Sequence, residues 1–295
     1  MPQPKLDLAP EKARYGAQAG AAVARQPVLG GHARTRLDQL GAPLAVKASW
    51  MLNRAEFAYL GAFYRQLIDH GSAPFLIDLL AGQAVPIECE AKFVPGSFSL
   101  NGVSGETHSC DASLEVVAPA RDAGADAALV SARAAPIGGL PVMALTPSTS
   151  GYSVSRGDTV LSARPGMGPS AQRLDYFNTP STLAVHWNVG PADFNYLCAF
   201  YWTAIREGAL PFLIEAVLDH PDPRQLAAKM IPGSFALSGL SGMTYSVDAQ
   251  VDVVPILSAD YDAEVLMLWD ELGADWEDWM IDLARLVNVE MPRWD

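Results

Sequence analysis

The side chains best suited to acid–base, nucleophilic or metal chemistry are five histidines and three cysteines: His32, His70, His108, His186, His220, Cys89, Cys110 and Cys198. A metal centre or a nucleophile–base pair sets such residues at short, characteristic spacings. Here they are scattered: no His has a second His or a Cys at ligand spacing, and there is no CxxC. The chain also lacks a GxxxxGK[ST] phosphate loop, a GxGxxG after a strand, HExxH and GxSxG. An odd, sparse cysteine set does not make a disulfide framework. It reads as buried thiols in a protein made in a reducing compartment. The expectation is no catalytic residue, no cofactor and no metal.

A different chemistry, that of contact surfaces, is concentrated at the end of the chain. Residues 259–295 hold 11 acids and 2 bases, and four of the seven tryptophans: Trp269, Trp276, Trp279 and Trp294. This segment reads as one or two short amphipathic helices broken at Gly273. Aromatic side chains on an acidic segment suit packing against the protein's own body or docking in a partner's groove. An interfacial membrane helix would be basic instead.

The whole chain has 295 residues, half of them apolar, so it can build a large core. Its net charge is −13, from 20 basic and 33 acidic residues. Gripping nucleic-acid phosphates needs clustered Lys and Arg, which this balance does not offer. The tail alone carries −9, so residues 1–258 carry only −4. No apolar run approaches the roughly 18 residues of a membrane span. The sequence MPQPKLDLAPEKARYG has no apolar core of a secretory signal.

The elements that position these residues are written twice. Shifted by 137 residues, 6–118 align on 143–255 without a gap, with about 40 of 113 positions identical. A period this long means two whole folding units. In each, a strand ending at Trp50 or Trp187 leads into a helix. Asn53 and Glu56 make a capping box in the first copy, and Pro191 is a first helical residue in the second. Phe57, Leu60, Phe63, Tyr64, Leu67 and Ile68 fall on one helix face, and Gly71 and Gly208 are left-handed caps. PFLI then predicts a buried strand, and PGSFSLNG or PGSFALSG opens a hairpin. Segment 119–142 is Ala- and Gly-rich and reads as a linker or long loop.

Both copies keep Arg36/Arg173, Asp38/Asp175, Lys92/Lys229 and Asp111/Asp248. Two readings fit: salt bridges and turn caps inside each unit, or equivalent contacts between neighbouring units of a ring.

The order strands, helix, strands, with the run from Trp50 through Phe63-Tyr64 and Pro74–Ile77 to Pro95-Gly96-Ser97-Phe98, resembles the tail-tube domain of long-tailed bacteriophages. That family includes tube and distal-tail proteins. The resemblance implies an α+β, mainly β fold with two tandem tail-tube-like β-sandwich domains, each with one flanking α-helix. They would span 1–118 and 143–255, joined by 119–142, with a helical C-terminal extension at 256–295. It implies a structural virion protein, synthesised in the host cytoplasm, in which three duplicated chains close a pseudo-sixfold ring. Such rings stack into a tube, contact other tail proteins, and let DNA pass without specific binding. A baseplate or distal-tail adaptor ring is the alternative. A tandem β-sandwich that binds a receptor or carbohydrate is another, with Trp269, Trp276, Trp279, Trp294, Arg36, Asp38, Arg173 and Asp175 as interaction residues in the ring readings.

Overall fold

The run 44–52 alternates inward and outward residues, and in the computed structural model Leu44, Val46, Ala48, Trp50 and Leu52 are all buried on one strand. The structure describes residues 3–26, 33–38, 41–117, 121–157, 160–163, 171–174, 179–218, 223–254, 265–267 and 269–270. The chain divides into two compact units, Met1–Pro255 and Ile256–Asp295. The fold is α+β and mainly β.

The first copy supplies β1 (Lys5–Leu6), β2 (Gly16–Gln18), β3 (Val23–Gln26), β4 (Arg34–Leu37), β5 (Leu44–Leu52), α1 (Arg54–Ala62), β6 (Phe75–Leu79), β7 (Ile87–Phe93), β8 (Ser99–Ser104) and β9 (Thr107–Val116). After α2 (Ala123–Ser131), the second copy supplies β10 (Ser153–Ser155), β11 (Val160–Ala163), β12 (Ala171–Leu174), β13 (Ser181–Val189), α3 (Pro191–Ala199), β14 (Phe212–Ala216), β15 (Arg224–Met230), β16 (Ala236–Ser241) and β17 (Thr244–Val253). The elements from β2 to β9 recur as β10 to β17 with the boundaries of the sequence repeat. Even β1, parallel to β6, has its counterpart in the bridge between Val142 and Leu213.

Each copy is a forked sheet. β9 pairs with β5 from Leu44↔Val116 to Leu52↔His108 on one edge. On its other edge β8 takes Thr107–Asp111 and β7 takes Leu114–Val116. β17 divides its edge between β16 and β15 in the same way. The helix fills the fork with aromatic rings, the role its apolar stripe predicts, except that Leu67 of that stripe is exposed. Phe57 stacks on His108 at 4.6 Å and Tyr64 on Phe98 at 4.9 Å, while Phe63 meets Phe75 edge-on. Phe194 on Tyr245 and Tyr201 on Phe235, both at 4.5 Å, repeat the pattern. Trp50 and Trp187 are buried, and their ring N–H groups donate to the carbonyls of Leu8 and Leu145.

The capping box forms: the Asn53 side chain accepts from the Ala55 and Glu56 amides, and Glu56 accepts from the Asn53 amide, all at 2.9 Å. The far end departs from the expected regular helix. Phe63–Leu67 and Phe200–Ala204 widen into π-helical turns. Three consecutive left-handed residues then reverse the chain, Asp69, His70 and Gly71, matched by Arg206, Glu207 and Gly208. The two predicted glycine caps have φ 89°. A Cβ on Gly208 would lie 2.9 Å from the Met230 carbonyl oxygen.

Segment 119–142, read from sequence as a linker or long loop, contains α2. Its Ala-rich composition favours helix, and Asp122 caps it by accepting from the Gly124 and Ala125 amides. It packs on the second copy: Thr203 donates to Asp126, Asp126 pairs with Arg121 at 2.7 Å, and the Arg133 guanidinium lies over the Tyr196 ring. In the second unit, residues 265–267 and 269–270 are helical. Among the described residues no helix is long and apolar enough to cross a membrane.

The left-handed reversal makes opposite predictions for neighbouring positions. Gly208→Ala should cost about 2 kcal/mol of stability, from its φ and the carbonyl contact. Asp69→Gly should raise stability by about 0.5 kcal/mol, because Asp69 is exposed and left-handed backbone is costly for an L residue. Urea unfolding of both variants checks the two signs.

Candidate assembly surface

Backbone amides along a strand edge need acceptors, and in this chain the two copies satisfy one another. β2 pairs with β5 of its own copy through Gly16↔Lys47, Ala17↔Val46 and Gln18↔Ala45. Its other edge pairs with β16 of the second copy, Ala236↔Gln18 and Leu237↔Ala17. The Ala19 amide extends the seam to the Phe235 carbonyl at 2.9 Å, and the Gln18 side-chain amide donates to the Gly233 carbonyl at 2.8 Å. One 13-stranded sheet results, running β1-β6-β7-β9-β5-β2-β16-β17-β13-β10 with β8, β14 and β15 on side branches.

The β3–β4 hairpin reinforces the seam by crossing onto the second copy. Arg25 pairs with Asp252, which is only 3% exposed and also accepts from Thr182 Oγ1. Thr35 donates to the Ala209 carbonyl at 2.9 Å, and Lys229 Nζ donates to the Ala33 carbonyl at 3.2 Å. The Gly41 amide donates to Glu207 at 3.1 Å. The loop after β6 adds a further clasp: the Ala84 amide donates to Asn195, and Tyr245 OH donates to the Ala84 carbonyl, each at 2.8 Å.

Of the retained charged residues, some contact their own copy and Lys229 contacts the other copy of the same chain. Arg36 and Asp38 form an exposed ion pair at 2.7 Å within the first hairpin. Arg173 is exposed, and Asp175 lies outside the described residues. Lys229 bridges the two copies, whereas its twin Lys92 is exposed on the surface. Asp248 pairs with His186 at 2.5 Å, and Asp111 accepts from Asn101. Trp269 is exposed beside Leu266 and Met267. Trp276, Trp279 and Trp294 lie outside the described residues, as do His32 and His220.

Among the described residues, no group of three His, Cys, Asp or Glu is placed to hold a metal. All three thiols are buried and free. Burial pushes Cys89 up to about 11 and raises Cys110 and Cys198 too, so none is an ionised nucleophile at neutral pH.

The residues that sequence reading missed are those of the seam. Leu237 and Leu240 on β16 are 4% and 6% exposed, while their twins on β8, Leu100 and Val103, are 48% and 58% exposed. Burying half of such a side chain is worth about 1 kcal/mol. The two strands have nearly the same apolar pattern, so only the presence of a neighbour separates them. The signal available in sequence was the retention of this pattern in a strand that one copy leaves uncovered.

Two measurements probe the seam. Arg25→Ala should destabilise by about 1–2 kcal/mol by stranding the buried Asp252 carboxylate, and Arg25→Ala/Asp252→Ala should cost less than the sum of the single changes. Burial raises the Glu207 carboxyl above its ordinary value, partly offset by the Gly41 N–H. A carboxyl raised on folding favours the folded state while protonated and loses that contribution as pH rises through the raised value. Glu207→Gln should therefore be more stable than the parent chain near pH 7, with the gain shrinking towards about pH 4, as thermal melts across that range would record. No protein-family model matches the chain, and a search of curated proteins finds no match.

Proposed function

We propose that this chain is a structural virion protein of a tailed phage, the tail tube protein, whose three copies close a pseudo-sixfold ring that stacks around a DNA channel. The observation that carries the reading is the seam between the two copies. It is heterologous: one copy offers the edge of β2 and the other the edge of β16. Repeating a heterologous contact through a rotation that closes gives a ring. Duplicated units that already pair this way within one chain are half-built pieces of such an assembly.

The solvent face of the sheet supports a passive channel. Its outward positions on β5, β9, β13 and β17 are mostly small or polar, including Ala45, Ser113, Ala184 and Gln250. Its charges include Lys47 against Asp111, Glu115 and Asp248. A near-neutral to acidic wall holds no phosphate backbone in place, so DNA would slide rather than bind. The mechanism is then mechanical, with no bond made or broken by the protein.

Electron microscopy of concentrated purified protein tests the assignment. A tube protein should give long filaments with an axial channel and three chains per ring. Single rings that never stack would indicate a baseplate or distal-tail adaptor. A monomer at every concentration would sink both and favour a tandem binding module.

A further inference from the structure

We infer that a second copy of this chain adds the edge of its β8 to β10, in the register that joins β16 to β2 within the chain. The register comes from the internal seam; only the closure into a ring rests on the function proposed above.

Moving the seam back by one repeat on the β16 side, and forward by one on the β2 side, turns Ala236↔Gln18 into Ser99↔Ser155. It turns Leu237↔Ala17 into Leu100↔Val154. Both edges are free among the described residues: β10 ends the sheet, and β8 pairs only with β9. β8 has the shape that β16 uses, including the same register shift between its second and fourth residues. All six β8 residues are exposed, and Val154 on β10 is 37% exposed. Long exposed edges carrying apolar side chains are a pairing hazard in a lone molecule and are expected where a partner strand adds.

The surroundings of the two edges match in part: the hairpin and its facing charged residues recur, but Ser162 stands where Arg25 does, so the ion pair to Asp252 has no equivalent. The β11–β12 hairpin is paired like β3–β4, the hairpin that crosses the internal seam. On an added copy it would meet Lys92 and Glu115, the exposed twins of Lys229 and Asp252. The occupant that fits is a second copy of this chain, because the internal seam already shows how these surfaces interlock.

The direction of the amides supplies one test. Ala19 points its N–H at β16, and alternation along an antiparallel strand sends the Ala17 N–H the same way. The twin Val154 N–H therefore faces the free edge, and Val154→Pro removes a donor to the added strand but none to β13. This variant should self-associate at least tenfold more weakly in sedimentation. Leu100→Lys, on the exposed opposite edge, should do the same with unchanged circular dichroism.

Leu100→Cys/Val154→Cys tests the register, since opposed residues of paired strands lie within disulfide reach and the three native thiols are buried. Mild oxidation should cross-link three chains, and neither single variant should do so. A cross-linked series growing without limit would uphold the joint and overturn ring closure. Oligomers that neither cross-link at this pair nor respond to Leu100→Lys would overturn the joint while leaving a ring by other contacts open. A protein monomeric at every concentration would overturn both.

Discussion

A strand of three residues, Gly16–Gln18, must satisfy acceptors and donors on both of its edges, and the continuity of the sheet depends on it doing so. Without β2 the molecule would be two forked sheets, each with an open side. With it, the edge of one copy becomes the middle of a single sheet. Few of the contacts that follow are independent of this pairing. The β3–β4 hairpin lies over the second copy because β2 delivers it there, and the buried Asp252 has its ion-pair partner because the hairpin brings Arg25.

The interior of each copy rests on a second constraint, the division of one strand edge between two partners. β9 and β17 are long enough to hold two neighbours in succession, which opens a wedge that flat packing cannot fill. The helix fills it with stacked rings. Tyr64 and Tyr201, at the start of the two π-helical turns, stack on Phe98 and Phe235. The chain must then turn back sharply to reach β6 or β14, and it does so through three left-handed residues of which only the last is glycine.

Features governed by neighbours close in sequence were legible before the fold was known. The Asn53–Glu56 box, Pro191, the Gly71 and Gly208 caps and the burial of Trp50 and Trp187 follow from local pattern and side-chain size. What was not legible depends on distant partners. α2 lacks an apolar stripe, and its place is set by Tyr196, Thr203 and Asp193 on the other copy, so its composition resembled a spacer. β2 is three small or polar residues with no apolar pattern of their own, and its pairing is set by strands distant in sequence. The candidate surface divides in the same way. Retention marked Lys92 and Lys229, but their equal sequence hid that one is covered and the other bare.

The duplication also alters how an assembly of these chains would be reached in time. A ring of six identical single units must make every joint by diffusional encounter, at a rate that falls with dilution. Here the seam through β2 forms within one polypeptide at an effective concentration set by the connecting chain, which does not dilute. In a ring of three such chains, half the joints would be complete when each chain finishes folding. Only the remaining half would respond to protein concentration, so the polypeptide would act as its own assembly intermediate.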